Sequence, residues 1–189
     1  TLVAAALAFA ADPARPWRAL DLGTGTGCLL LSFLSGRAHA MGIAVDRSEA
    51  ALGVAAANAD SLGLAARTSF VCGDWAAALA GTFDVIFSNP PYIPTSEIAG
   101  LDPGVRDHEP ALALDGGPDG LRVINRLAEQ ALTMLAPGGR LLVEIGAGQE
   151  MGARGVLTEA GFSVEAILKD GGGHPRVVRS FRPSAPGQG

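Results

Sequence analysis

The sequence predicts an α/β fold: a mostly parallel sheet of seven strands with helices on both of its faces. Short apolar runs alternate with segments of helical periodicity, which is the pattern of β–α–β units. A glycine-rich turn follows the first apolar run and opens a helix, as in nucleoside-binding α/β proteins. The last two apolar runs are too close together to enclose a helix, so they form a hairpin and one strand runs antiparallel.

The chain opens with an apolar run at residues 2–11, in which Leu2, Ala6, Leu7 and Ala10 share one helical face. The run ends in small residues, as a secretory signal does, but it has no basic leader. It is also shorter than the ~20 residues that cross a membrane. A helix that covers the sheet is therefore the favoured interpretation. Because the pattern starts in mid-element at Thr1, we expect the chain to be a fragment of a longer protein.

Seven apolar runs are predicted strands: residues 19–22, 41–45, 68–72, 82–88, 140–145, 162–168 and 177–181. One helix is expected to end near Gly36, and a second begins at the cap residue Ser48 and ends at Gly63. Residues 121–135 repeat apolar side chains every three or four positions, which predicts a helix ended by Pro137-Gly138-Gly139. A weaker helix follows to about Gly161.

A stretch rich in proline, glycine and aspartate, residues 90–118, is predicted to be one long irregular loop. Loops longer than ~12–15 residues within a compact domain are usually functional or disordered. The stretch begins with Asn89-Pro90-Pro91-Tyr92, directly after an apolar strand. The prolines end the strand and donate no N–H groups, so what projects is an amide, bare carbonyls and one ring. That set suits a planar NH₂ group, although a simple strand-ending turn is the alternative.

The first strand runs into Asp21-Leu22-Gly23-Thr24-Gly25-Thr26-Gly27, where glycines admit a ligand close to the backbone and a helix begins. Asp46 ends the next strand, where a carboxylate can accept both hydroxyls of a ribose. Together the two features favour a nucleoside-type ligand over a structural turn.

Two ligands compete for this site, a nicotinamide dinucleotide and S-adenosylmethionine. A dinucleotide site generally spaces its glycines as G-x-G-x-x-G around a diphosphate, whereas here the spacing is G-x-G-x-G. Asp21 repels a diphosphate but attracts an ammonium group, directly or through water. Asp74 and Trp75, after the third strand, offer a carboxylate for an exocyclic amine and an apolar surface for a purine. This charge pattern favours S-adenosylmethionine as the cofactor.

Bulk composition limits the partners. The 189 residues suffice for one domain with a substantial core. The net charge is −5, whereas proteins that bind nucleic-acid phosphates typically have an excess of basic residues. Two distant cysteines and three scattered histidines supply no ligand set for a metal. We expect no metal, no membrane and no stable binding of nucleic acid. Cys28 and Cys72 are expected to be buried and reduced, as in a cytoplasmic protein.

Taken together, these motifs resemble a class I S-adenosylmethionine-dependent methyltransferase of the Asn-Pro-Pro-Tyr type, with a Rossmann-like fold. The order of several further segments resembles the glutamine N-methyltransferases of peptide chain release factors. Those segments are Ile93-Pro94, Glu109-Pro110, Ala113-Leu114-Asp115-Gly116-Gly117, Asp119-Gly120-Leu121 and Leu141-Leu142-Val143-Glu144-Ile145-Gly146.

The resemblance implies transfer of a methyl group to a glutamine side chain in a release factor. Methylation of the exocyclic amine of adenine in DNA or RNA is the alternative. The resemblance further implies a catalytic domain at residues 1–182 and a disordered tail at 183–189. It also implies that the family's N-terminal helical domain is absent from this chain. The implied substrate clamp is Asn89, Pro90, Pro91 and Tyr92, with Asn89, Pro90 and Tyr92 taking part in catalysis. The cofactor residues, from the motifs and the resemblance together, are Asp21, Gly23, Thr24, Gly25, Thr26, Gly27, Asp46, Asp74, Trp75 and Asn89.

Overall fold

A computed structural model describes residues 1–77, 79–106 and 110–184. Its strands are β1 Arg18–Leu22, β2 Met41–Asp46, β3 Thr68–Cys72, β4 Phe83–Ser88, β5 Ile93–Pro94, β6 Asp115–Gly117, β7 Leu135–Glu144, β8 Ser163–Lys169 and β9 Pro175–Phe181. Its α-helices are α1 Leu2–Phe9, α2 Cys28–Ser35, α3 Glu49–Ser61, α4 Pro103–Arg106, α5 Ala111–Leu114, α6 Arg122–Met134 and α7 Glu150–Glu159. Two 3₁₀ turns lie at Ala65–Arg67 and Thr95–Gly100.

The main sheet has seven strands in the order β3-β2-β1-β4-β7-β9-β8. The strands from β3 to β7 in this order pair in parallel, and β9 is antiparallel to both of its neighbours. The predicted sheet, including its terminal hairpin, is confirmed. Leu22 of β1 pairs with Val45 on one side and with Ser88 on the other, so the carboxyl ends of these strands share one edge. In open α/β sheets ligands bind outside this edge, where the strand order reverses.

Alternate side chains of each central strand enter two separate cores. Leu20 and Leu22 pack with Ile124 of α6 and Leu157 of α7. Ala19 packs on the other face with the side chains of α1 and α2. Helices therefore cover both faces of the sheet, as predicted, and the N-terminal apolar run is the covering helix α1.

The Pro137-Gly138-Gly139 segment is a correction to the predicted elements. Helix α6 already ends at Met134, and β7 begins at Leu135, which pairs with Phe83. The ladder then shifts register and resumes where Val85 pairs with Arg140. Gly138 takes a positive φ of 75° within this interruption. The segment forms an irregularity inside a strand, because a change of register needs the backbone freedom that glycine has.

The stretch from 90 to 118 is a second correction, because it is more ordered than predicted. It contains a 3₁₀ turn, two short helices and the parallel pair β5–β6. The Asp115 carboxylate holds the pair together: its Oδ1 accepts from Thr95 Oγ1 at 2.6 Å and from the Gly117 N–H at 2.9 Å. Arg122 pairs with its Oδ2 at 3.1 Å. The Thr95 hydrogen bond, with these other contacts, lowers the pKa of Asp115.

Three remaining predictions concern the surface and the termini. Cys28 and Cys72 are free thiols but both are exposed, so the prediction that they are buried is wrong. Both sit at element ends, where apolar neighbours in sequence do not imply a buried position. Within residues 1–77, 79–106 and 110–184, no helix is long and apolar enough to cross a membrane. Most of the predicted tail, 185–189, and the Glu109 position lie outside the described residues.

Candidate active site

The glycine-rich loop after β1 is held against the end of β2 by backbone hydrogen bonds. The N–H groups of Gly23 and Thr24 both donate to the Val45 carbonyl at 2.9 Å. Gly23, Gly25 and Gly27 have positive φ values of 72°, 55° and 82°, which L side chains rarely adopt. A Cβ atom built on Gly25 would meet no atom within 4 Å, so this part of the loop faces open space. Hydrogen bonds thus hold one side of the loop to β2, and no atoms cover its other side at Gly25.

Asp21 lies under this loop with no exposed surface. Its Oδ2 accepts a hydrogen bond of 2.7 Å from the Thr24 hydroxyl, and a hydrogen bond with the Leu30 backbone also acts to lower its pKa. Burial raises the pKa of Asp21 to about 7, against the opposing effect of the Thr24 hydrogen bond. The nearby negative charge of Asp46 also raises this pKa. Because Asp21 is fully buried, it would act on a ligand through Thr24, water or its field.

Asp46, the last residue of β2, is tied to the loop as well. Its Oδ2 accepts from the Gly25 N–H at 2.8 Å, and its Oδ1 accepts from the Ser48 N–H at 2.9 Å. Ser48 in turn caps α3, accepting from the Ala51 N–H at 3.1 Å, as predicted. A carboxylate has about four lone-pair directions, so two remain for a ribose.

Trp75 brings the third strand end to the same place. A Cβ atom added to Gly23 would lie 3.4 Å from Trp75 Cζ3, so the indole is in contact distance of the glycine loop. Trp75 has a φ of 57°, which is strained for a residue other than glycine. Residues with such strained backbones are found mostly at functional sites. Asp74 forms an ion pair with Arg126, while its Oδ1 is buried and has no partner among the described residues.

Helix α6 carries three polar side chains at intervals of four residues, which places them along one face. Arg122 pairs with Asp115 in the long loop, and Arg126 pairs with Asp74. Gln130 accepts from the Ala76 N–H through its Oε1 at 2.7 Å. We call these three residues the α6 stripe. It holds both the loop that follows β3 and the loop that follows β4.

Asn89 to Tyr92 leaves the sheet at the end of β4, next to β1. Ser88 anchors its start by donating to the Leu22 carbonyl at 2.6 Å. Asn89 is exposed, and no described residue hydrogen-bonds to its side chain, whereas Pro90 is buried. The Tyr92 carbonyl accepts a bond of 2.7 Å from Gln149 Nε2. The free amide of Asn89 therefore stands at the same sheet edge as Asp21 and Asp46.

The residues at this edge fit S-adenosylmethionine. The buried carboxylate oxygen Asp74 Oδ1 is without a partner among the described residues and suits a nitrogen of the ligand. The bare face of Gly25 leaves room for close approach. Three acidic side chains around the loop disfavour a diphosphate. Among the described residues, no group of three or more potential metal ligands occurs.

Four residues that support these loops were not predicted from the sequence: Arg122, Arg126, Gln130 and Gln149. The first three have a detectable signal, because they follow one another at helical spacing on the polar side of a predicted helix. Gln149 has a weaker one, three residues after the last glycine of a segment used for the resemblance. Neither signal identifies the partner loop, because that depends on the tertiary fold.

The chain belongs to the methyltransferase domain family, whose model matches residues 16–159. It is 46% identical over 186 residues to the release factor glutamine methyltransferase of Rhodospirillum rubrum, an alignment covering 91% of this chain and 57% of that protein. It is also 48% identical over 166 residues to the release factor glutamine methyltransferase of Cereibacter sphaeroides, covering 88% and 60%. These relatives confirm the resemblance inferred from the motifs. The chain spans somewhat more than half of their length.

Solved structures agree on the fold. TrmN from Thermus thermophilus superimposes with a TM-score of 0.66 at 26% identity, covering 96% of this chain and 48% of that one. A methyltransferase from Pyrococcus furiosus gives a TM-score of 0.70 at 20% identity, covering 97% and 84%. The Rossmann-like methyltransferase fold predicted from the sequence is thus confirmed.

Proposed function

We propose that this chain is the catalytic part of an S-adenosylmethionine-dependent protein-glutamine N-methyltransferase that acts on peptide chain release factors. The observation that carries the proposal is the free Asn89 amide at the carboxyl end of β4, beside the glycine loop and Asp46. The names of the relatives at 46% and 48% identity support the same substrate. We also propose a cytoplasmic location, because a release factor would be the substrate.

Bound S-adenosylmethionine supplies an electrophilic methyl group, so the chain has to position a poor nucleophile. The lone pair of an amide nitrogen is delocalised, and its N–H is far too weak an acid for a side chain to deprotonate beforehand. We assign the two N–H groups of the substrate to the Asn89 side-chain oxygen and the Pro90 carbonyl, which would stabilise the positive charge on nitrogen as it gains the methyl group. The nitrogen would lose one proton after the transfer, and the other product would be S-adenosylhomocysteine. Tyr92 would cover the plane of the amide. Such pre-aimed dipoles are typically worth ~3–4 kcal/mol each.

On the cofactor side, we assign the ribose hydroxyls to Asp46 and the purine to Trp75. Asp74 Oδ1 would accept from the exocyclic amine of adenine. Gly23, Thr24, Gly25, Thr26 and Gly27 would approach the amino-acid part of the ligand, with Asp21 acting from beneath through Thr24 or water. Asn89 would border both ligands.

The alternative substrate, the exocyclic amine of adenine in DNA or RNA, is not favoured. Its NH₂ group is also planar and conjugated, so the clamp by itself would accept it. A flipped base needs phosphate contacts to hold the strand, however, and the net charge of −5 offers no such excess. We further propose that residues 1–182 form the catalytic domain.

The test is to incubate the full-length protein with S-adenosylmethionine and, separately, purified release factors, DNA and RNA. We expect a methyl group on a release-factor glutamine, located by peptide mass mapping; methylated adenine instead would establish the alternative. Asn89→Ala should lower kcat about 100- to 1000-fold, the loss of one pre-aimed dipole. Its affinity for S-adenosylhomocysteine should stay close to wild type in calorimetry. Asn125→Ala, on the exposed side of α6, is the matched control.

A further inference from the structure

Gln149 uses its whole amide group to join three segments of the chain. It lies at the N-cap of α7, after the turn that leaves β7. Its Oε1 accepts from the Gly146 N–H at 2.8 Å. Its Nε2 donates to the Tyr92 carbonyl at 2.7 Å and to the Asp119 carbonyl at 3.5 Å. A side chain with one acceptor and two donors is therefore fully used between backbone groups.

Three glycines pack closely around the hydrogen bond between Gln149 and the Tyr92 carbonyl. A Cβ atom on Gly120 would lie 2.2 Å from Gln149 Nε2 and 2.3 Å from the Tyr92 carbonyl oxygen. A Cβ atom on Gly146 would lie 3.0 Å from Gln149 Oε1 and 3.0 Å from Tyr92 Cδ2. One on Gly116 would lie 2.8 Å from the Tyr92 carbonyl carbon. Three buried glycines thus enclose the Tyr92 peptide group. A side chain at position 116 or 120 would collide with backbone atoms, and one at position 146 would be tight against Gln149 and Tyr92.

Apart from β4 and β5, which border it, the segment from Asn89 to Tyr92 has few other points of attachment among the described residues. Pro90 and Pro91 have no N–H groups, so neighbouring elements cannot hold them by donated hydrogen bonds. Their fixed φ angles also make the segment stiff, so that a fixed Tyr92 carbonyl limits the position of Pro90 and Asn89. At the other end, β4 and the Ser88–Leu22 hydrogen bond hold the segment.

We propose that Gln149 is a positioning residue for methyl transfer, which fixes the far end of the Asn89–Tyr92 segment and the Gly146 surface under the Tyr92 ring. This inference rests on the proposed function. Gln149 does not touch the reacting atoms; it acts through the Tyr92 carbonyl. A misplacement of about 1 Å in a reacting group can cost about 100-fold in rate. Gln149 therefore controls the rate of transfer and leaves cofactor affinity unchanged.

The test is Gln149→Glu, which keeps the shape and the acceptor for the Gly146 N–H but faces two carbonyl oxygens without a donor. We expect kcat for release-factor methylation to fall by about 100-fold, with affinity for S-adenosylhomocysteine within twofold of wild type. The activity of the variant relative to wild type should recover as the pH falls and the introduced carboxyl regains a proton. Met151→Glu, on the exposed side of α7, adds the same charge and should change neither quantity.

A second measurement does not depend on the substrate. Amide hydrogen exchange over residues 92–95 should be faster in Gln149→Glu than in both the wild type and Met151→Glu. If exchange there is unchanged, or if it accelerates while kcat stays at the wild-type value, the positioning role is refuted. A full-length wild-type protein that methylates no release factor would instead refute the proposed function, and exchange would still decide whether Gln149 holds the segment.

Discussion

The buried carboxyl of Asp21 makes the stability of the fold depend on pH. Its pKa rises from the ordinary 3.8 to about 7, chiefly through burial. Between these values the folded chain keeps a proton that the unfolded chain has released. The contribution of Asp21 to the free energy of unfolding therefore falls as the pH rises through this range and levels off above about 7. The difference between the two pKa values corresponds to a loss on the order of 4 kcal/mol.

Asp21→Asn removes the titration and keeps an oxygen for the Thr24 hydroxyl. Relative to wild type, the variant should gain stability steadily between about pH 4 and about pH 7, by up to about 4 kcal/mol. Urea unfolding at matched pH values measures this difference, and the subtraction cancels the other titrating groups. A constant difference across the range would mean that Asp21 ionises at its ordinary pKa, and the argument from burial would fail.

Two further variants sharpen this measurement. Thr24→Val removes a hydrogen bond that lowers the pKa of Asp21, so the upper end of the pH-dependent range should move to higher pH. Ser88→Ala removes another buried hydroxyl, the one bonded to the Leu22 carbonyl, but involves no titrating group. Its effect on stability should be the same at every pH.

Three other predictions concern the cofactor edge and the core. Asp46→Ala should weaken S-adenosylhomocysteine binding by ~1–3 kcal/mol in calorimetry, because it removes a charged acceptor; an unaltered affinity would exclude the ribose role. Ser48→Ala removes the cap of α3 and should cost about 1 kcal/mol in urea unfolding, whereas a neutral result would mean that water replaces the hydroxyl. Phe33→Ala should cost ~3–5 kcal/mol, because its fully buried ring packs 5.5 Å from that of Phe87; a loss below 1 kcal/mol would imply collapse of the cavity.

The sheet and the acidic strand ends follow directly from the sequence, and the reason is geometric. Parallel strands place their carboxyl ends at one edge, so Asp46 and Asn89 lie at the same edge whatever the details of the loops. A hairpin between the last two strands is equally forced, because the chain between them is too short for a crossover.

Other features depend on contacts that a local pattern does not encode. Pro137-Gly138-Gly139 has the composition of a turn, yet pairing between Leu135 and Phe83 continues the strand around it. Order in the long loop depends on Asp115 finding Thr95 and Arg122, which are distant in sequence or on another element. Gln149 was missed for the same reason, since its partner Tyr92 lies 57 residues away.

The α6 stripe attaches two separate loops to a single helix. An insertion of one residue between Arg122 and Arg126 would turn the rest of the helix by about 100° relative to its start. Either the contact with Asp115 or the contacts with Asp74 and Ala76 would then point away from their loops. The distance between the loop after β3 and the loop after β4 is thus set by the geometry of one helix. A change in this helix would therefore move both loops together.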